Sequence, residues 1–229
     1  MDRYSEITEK TKREIVLLKA RPCAWGKCRF CDYIHDNTTD LEELERVNSE
    51  TLALVTGRYG VLEVIDSASC FELTKETLCG IKRVVEEKNI KKLFLEAHWM
   101  YRKRLGEMRE FFGIPIVFKT GVETFDYDFR ESFLKKGAPF KTAEEVAEYF
   151  DSPCIMVCIK GQTREMIRRD IELMKKHFRH GTVNVFTDNT TDVKRDPELV
   201  KWFVEEFGYL AEDPDVDILL DRTDFGVGD

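Results

Sequence analysis

The sequence contains no apolar run long enough to cross a bilayer, and its first residues, MDRYSEITEK, carry no hydrophobic stretch behind their charges. The first absence argues against a membrane span and the second against a secretory signal, so a cytoplasmic protein with no membrane partner is expected. A basic excess is missing too: Lys and Arg number 36 against 44 Asp and Glu, for a formal net charge of -8. A protein that tracks nucleic acid through its phosphates needs a basic face, so no direct nucleic-acid partner is expected. The stretches KRVVEEKNIKK and RRDIELMKKHFRH alternate basic with acidic residues at helical spacing and read as solvated helix faces. His177 and His180, in the second of these, read as surface groups. Low-complexity segments, Pro- and Gly-rich linkers and internal repeats are also lacking, which leaves one domain over residues 1–229 as the economical reading.

Cysteine is scarce, with seven in 229 residues, yet Cys23, Cys28 and Cys31 fall together in RPCAWGKCRFCDYIHDN, residues 21–37. In a reducing compartment disulfides are rare, and an odd number of thiols with a local cluster points to metal ligation or catalysis. Cys154 and Cys158 differ: they sit in the apolar run PCIMVCI and read as small buried hydrophobes.

At 42% hydrophobic content the chain can bury a substantial core. Short apolar runs at 14–20, 61–67, 92–98, 114–120, 154–160, 182–188 and 216–222 read as strands. Between them, amphipathic stretches at 41–55, 75–88, 101–112, 127–136, 143–150, 163–178 and 197–207 read as helices. Repeated β-α units with right-handed crossovers predict an α/β fold: a single-domain partial (β/α)6-type barrel, parallel strands inside and helices outside. Ligands of such folds collect at the carboxyl ends of the strands, which is where the cysteine loop, following the first run, is expected.

Two metal readings suit that loop. C-x4-C-x2-C-x3-H, with His35 as fourth ligand, resembles part of a three-cysteine, one-histidine zinc site. Three thiolates can instead hold a four-iron cluster with one iron left open to a small molecule. The placement after an apolar strand in a long α/β chain favours the cluster.

On these residues the chain resembles the radical S-adenosylmethionine enzymes. Their motif spaces its last two cysteines as C-x2-C with an aromatic before the final one, here Phe30. The first gap is four residues, Cys23 to Cys28, where the superfamily usually has three. The resemblance implies a 4Fe-4S cluster on Cys23, Cys28 and Cys31 and S-adenosylmethionine on the open iron. It further implies one electron from a donor such as flavodoxin or ferredoxin, and a 5′-deoxyadenosyl radical that takes hydrogen from a substrate carbon. By the same resemblance, Ser67, Ala68 and Ser69 stand where the family carries a glycine-rich stretch against the methionine end of the cofactor. Glu96, at the end of the third run, and Glu123, following the fourth in a G-x-E segment, are expected to accept hydrogen bonds from cofactor or substrate, or else to cap helices. His98, the one histidine at a strand end, is the candidate to move a proton.

The compact chain, the four-residue gap, FTDNTTD (186–192) and the terminal LLDRTDFGVGD are similar to the bacterial queuine lyases. That similarity implies release of the cyclopentenediol of queuine and formation of 7-aminomethyl-7-deazaguanine. A deazaguanine presents adjacent N–H donors that a carboxylate can accept, while an amide serves the neighbouring carbonyl. Asp188, Asn189, Asp221 and Asp224 are the expected base-reading residues. Two other classes stay open on sequence: a radical enzyme acting on a protein, peptide or RNA, and a non-catalytic zinc-binding domain.

Overall fold

The computed structural model describes residues 2–221 and 224–228. Within them the strands are β1 (Tyr4–Ile7), β2 (Arg13–Leu18), β3 (Val61–Asp66), β4 (Lys92–Glu96), β5 (Ile116–Glu123), β6 (Ser152–Val157), β7 (Gly181–Val185) and β8 (Val216–Leu219). The α-helices are α1 (Leu41–Leu52), α2 (Lys75–Glu87), α3 (Leu105–Phe112), α4 (Ala143–Ala147), α5 (Arg164–His177) and α6 (Pro197–Phe207). Strand order follows chain order. β1 runs antiparallel to β2, whereas β2 with β3, β3 with β4, β5 with β6, β6 with β7 and β7 with β8 pair in parallel. All seven apolar runs form strands, and the expected parallel α/β class is borne out. Among the described residues no helix is long and apolar enough to cross a membrane.

Local chemistry explains the element ends. Asp40, Thr74, Thr142, Thr163 and Asp196 each accept backbone N–H groups at a helix start, and Pro197 opens α6, where a missing N–H costs nothing. Gly113, in the left-handed conformation at φ 68°, closes α3. β2 is buried at every position, which is why it reads as a continuous apolar run rather than an alternating one.

The chain packs as two compact units. The first takes in the N-terminal segment up to Gly26, Tyr33–Phe118 and the segment from Phe225; the second takes in Lys27–Asp32 and the stretch from Lys119 to Asp224. In the first, Arg13 and Glu63, neither exposed, form an ion pair at 2.5 Å, and the Arg13 guanidinium lies 5.6 Å from the Phe94 ring centre and 5.5 Å from that of Phe225. Removing one partner of such a pair leaves a buried charge uncompensated, at a cost of about 3–5 kcal/mol. In the second, buried Arg130 donates to the carbonyls of Thr124 at 2.8 Å, Ala138 at 3.0 Å and Phe140 at 2.5 Å, tying down the 124–140 segment.

Four details differ from the sequence reading. β1, in YSEI, has no apolar run; Tyr4 is held by backbone pairing with β2 and by donation of its hydroxyl to Glu14 at 2.9 Å. Residues 127–136 form only a π-helical turn, Phe129–Phe133, which ends where Lys135 and Gly137 turn left-handed at φ 55° and 66°. The helix read over 101–112 is α-helical only from Leu105, after a 3-10 turn at Trp99–Tyr101. His180 is no surface group: Nδ1 meets Ser152 Oγ at 2.9 Å and Nε2 lies 3.3 Å from Asp217 Oδ2. This Ser-His-Asp chain resembles a hydrolytic triad in composition only. Ser152 has no exposed surface, so the chain fastens three neighbouring strands rather than meeting a substrate.

Asp170 on α5 accepts the Phe125 N–H at 2.8 Å, yet its other oxygen is buried without a hydrogen-bond partner. Burial pushes this carboxyl up to about 7, against the pull of hydrogen bonds from Thr124 and Phe125. A folded pKa above the unfolded value means that the folded state holds the proton more tightly. The carboxyl therefore costs stability as pH rises from about 4 to about 7. Asp170→Asn is expected to gain about 2–4 kcal/mol more, relative to the parent, at pH 8 than at pH 4. Urea unfolding at the two pH values measures the difference, and an equal effect at both would contradict the assignment.

Candidate functional site

The Cys28–Cys31 segment is pinned from several sides within the second unit. Cys31 N–H donates to Cys28 O at 3.3 Å, closing a turn, and Arg29 N–H donates to Leu134 O at 2.9 Å. Asn189 Nδ2 donates to Phe30 O at 2.7 Å, while its Oδ1 accepts from Thr191 N at 2.9 Å and Thr191 Oγ1 at 2.7 Å. The Arg29 guanidinium pairs with Asp192 at 2.5 Å and lies over the Phe133 ring. Phe30 packs against the core of Leu134, Met156, Ile159, Phe186 and Val193. Neither thiol is in a disulfide, and both are half-buried.

Beneath this turn lies a buried ion pair. Lys136 Nζ donates to Glu123 Oε1 at 2.6 Å and lies 5.7 Å from the Phe30 ring centre, and its carbonyl is 3.9 Å from Cys28 Sγ. Burial works against the ammonium, but the Glu123 carboxylate, then Cys28 and Cys31, outweigh it and hold the Lys136 pKa above its ordinary value. Glu123 is the last residue of β5, rather than following the strand, and sits left-handed at φ 64° after a register shift at Gly121. Such a backbone costs about 1–2 kcal/mol for a non-glycine residue. At Gly121 a Cβ would overlap Glu123 Oε1 and come within 2.5 Å of Lys136 Nζ, so any side chain there would displace the charged ends of the pair.

In the first unit Cys23 is free and half-buried, and the turn after it depends on Gly26, at φ 57°, where a Cβ would sit 3.1 Å from Cys23 O. Glu72 organises the surrounding backbone. Its Oε1 accepts from Ala24 N at 3.3 Å and from the Tyr101 hydroxyl, and its carbonyl accepts from Arg21 N at 3.2 Å. Trp25 stacks on His98 with ring centres 6.3 Å apart. His98 Nδ1 accepts the Met100 N–H at 3.3 Å, giving it a structural task. His35 is exposed at the end of a 3-10 turn.

Ser67, Ala68 and Ser69 follow β3 directly. Ser67 Oγ accepts from Ala20 N at 3.0 Å, Ala68 N donates to Asp66 Oδ1 at 2.8 Å, and Ser69 O accepts from Glu72 N at 2.8 Å. Glu96 ends β4, and its carbonyl accepts from Cys70 N at 2.9 Å, which brings the ends of β3 and β4 together. Burial raises the Asp66 carboxyl well above its ordinary range, and the nearby Glu96 and Glu72 charges push the same way. Asp66 Oδ2, Ser69 Oγ and Glu72 Oε2 are buried with no partner in hydrogen-bonding geometry.

Among the described residues no three His, Cys, Asp or Glu side chains converge tightly enough to hold one metal ion. No protein-family model and no curated protein matches the chain. Among solved structures, a queuine lyase from Clostridium spiroforme, bound to SAM and queuine, matches over 100% of both chains at 55% identity with a TM-score of 0.98. The chain belongs to the queuine lyase family. As a member it is a radical S-adenosylmethionine lyase, and it shares its fold with that relative over the full length. A radical S-adenosylmethionine methyltransferase from Kitasatospora setae, with cobalamin and a [4Fe-4S] cluster bound, matches at 15% identity and a TM-score of 0.48. It covers 74% of this chain and 36% of its own, a likeness too remote to carry an argument.

The residues expected to read the base lie past the strand ends in this queuine lyase family member. Asp188 Oδ1 accepts the Arg195 N–H at 2.6 Å. Asp224 Oδ2 accepts from Leu220 N at 2.6 Å and Asp221 N at 2.9 Å, and Asp221 is exposed beside it. Each of the two capping carboxylates spends one oxygen on backbone. Sequence reasoning missed Asp66, Glu72, Tyr101 and Lys136. Asp66 adjoins SAS and was within reach, but Glu72 and Lys136 sit in stretches whose pattern speaks only of helix or turn.

Asn189 ties Phe30, and thereby the C-x2-C turn, to the 189–191 loop. Asn189→Ala is expected to lower unfolding free energy by about 1–2 kcal/mol, the range for a lost hydrogen bond with a carbonyl left unmet. Hydrogen exchange, followed by mass spectrometry, should rise selectively over residues 28–32. Unchanged protection there would show that the turn is held without it.

Proposed function

We propose that this chain cleaves queuine to 7-aminomethyl-7-deazaguanine by radical chemistry, with a 4Fe-4S cluster on Cys23, Cys28 and Cys31 and with S-adenosylmethionine as the second cofactor. The observation that carries this reading is the full-length match at 55% identity to a queuine lyase bound to SAM and queuine. When bound, these groups supply a 5′-deoxyadenosyl radical, on receipt of one electron from a donor such as flavodoxin or ferredoxin.

The residues present fit both groups. Three half-buried cysteines outside any disulfide, on glycine- and hydrogen-bond-constrained turns, suit thiolate ligation. The unmet buried acceptors Asp66 Oδ2, Ser69 Oγ and Glu72 Oε2 suit a ligand rich in hydroxyl or ammonium donors, which both S-adenosylmethionine and queuine are. In this reading Ser67, Ala68 and Ser69 lie along the cofactor because small side chains admit close backbone approach. Glu96 and Glu123 accept from cofactor or substrate hydroxyls, and Phe30 screens the turn from water. His98, whose Nδ1 accepts from Met100 N, moves a proton in this reading. Asp188, Asn189, Asp221 and Asp224 read the deazaguanine edge, the capping carboxylates through the oxygen not spent on backbone. A cytoplasmic location accords with thiols that must stay reduced.

Anaerobic incubation with S-adenosylmethionine, dithionite and queuine is expected to yield 5′-deoxyadenosine and 7-aminomethyl-7-deazaguanine by mass spectrometry. Cys28→Ala should lose cluster iron and both products, while His35→Ala keeps the iron. Cofactor cleavage with queuine left intact would overturn the substrate assignment, and full iron content in Cys28→Ala would overturn the ligand set.

Asp188, Asp221 and Asp224 are exposed, and losing a hydrogen bond to a charged acceptor costs roughly 1.5–3 kcal/mol. At least one of Asp188→Asn, Asp221→Asn and Asp224→Asn is therefore expected to lower kcat/KM for queuine by about 10- to 150-fold, with iron content unchanged. Three variants at parental efficiency would remove these acids from the pocket.

A further inference from the structure

The Glu123–Lys136 pair is more constrained than a structural ion pair needs to be. Holding it requires a left-handed glutamate, a register shift in β5 and a glycine at 121 whose missing side chain leaves room for both charged ends. Lys136 also reaches the cysteine turn by two routes, its carbonyl against Cys28 Sγ and its ammonium against the Phe30 ring. The ammonium lies 5.7 Å from the ring of Phe30, which stands between Cys28 and Cys31 in the chain. A merely structural lysine would not need its charge buried beside two thiols.

We propose that Lys136 is a positioning residue for the cluster, whose buried ammonium, oriented by Glu123, stabilises the added negative charge when the cluster is reduced. The inference rests on the cluster assignment made above for Cys28 and Cys31. The physical argument is Coulombic. Three thiolates make the bound cluster anionic, and one-electron reduction makes it more so. The Glu123 carboxylate offsets part of the lysine charge, but with the ammonium end of the pair set against the Phe30 ring of the cysteine turn, the pair favours the reduced form more than the oxidised one. The lysine thus makes the cluster easier to reduce by a biological donor, and the strain around Glu123 is the structural cost of keeping the charge aimed.

The test is a redox titration of the reconstituted holoenzyme, monitored by electron paramagnetic resonance, without S-adenosylmethionine or queuine. Lys136→Met, close in size and neutral, is expected to shift the one-electron reduction equilibrium ten- to a hundredfold toward the oxidised form. That corresponds to a midpoint lower by about 60–120 mV at 59 mV per tenfold change. Lys136→Arg, which keeps the charge, should stay within about threefold of the parent. If Lys136→Met holds no cluster while Lys136→Arg loads fully at the parental midpoint, the charge requirement also stands. A fully loaded Lys136→Met with an unchanged midpoint overturns the proposal. So does iron loss in both variants with helix content intact, which would mark a packing role, and so does weakened S-adenosylmethionine binding at an unchanged midpoint. Failure of the parent protein itself to load iron would instead remove the underlying cluster assignment.

Discussion

A charge taken out of water must be met by a partner, and each unit of this protein is organised around pairs that meet that requirement. Arg13 with Glu63 lies in the first unit, flanked by Phe94 and Phe225; Glu123 with Lys136 lies in the second, under the cysteine turn. Arg130 meets the same requirement with three backbone carbonyls. These contacts decide where loops can go. The 124–140 segment follows Arg130, and the close of β5 follows the geometry that Glu123 must adopt to reach Lys136.

Where the requirement is left unmet, the chemistry of the site begins. Asp66, Ser69 and Glu72 bury acceptors with no partner at the ends of β3 and β4, next to the backbone that carries Cys23. A stable fold tolerates such orphans where a ligand completes them. The cysteine turns themselves are held by backbone, amide and charged side-chain hydrogen bonds. The chain belongs to the queuine lyase family, matching a relative bound to SAM and queuine over its full length.

Much of this was legible in the chain, and what was not has physical causes. The parallel strands are visible because their buried positions write short apolar runs bounded by polar or turn residues, and helix starts are visible because caps are local. The Cys23, Cys28, Cys31 loop was legible because spacing along the chain is all its motif needs. β1 was not, since an edge strand held by backbone pairing carries no apolar signature. Residues 127–136 were misread as an α-helix because amphipathic periodicity is blind to the left-handed turns at Lys135 and Gly137 that end it. His180 was misread because neighbouring charges on α5 hide its contacts with Ser152 and Asp217.

By itself the sequence determined the α/β class, the order of the elements and the location of the thiols, because those depend on periodicity, capping and spacing between near neighbours. Only the tertiary structure decided which side chains stand around the thiols: Lys136 lies 108 positions from Cys28 along the chain, and Glu72 lies 48 from Ala24. Contacts across such separations are set by strand register and by the balance of desolvation against pairing, neither of which leaves a local pattern. The assignment of Asp188 and Asp224 shows the same boundary. Acidic loop residues were evident from the chain, but their use of one oxygen as a backbone cap emerged only once the loops had closed.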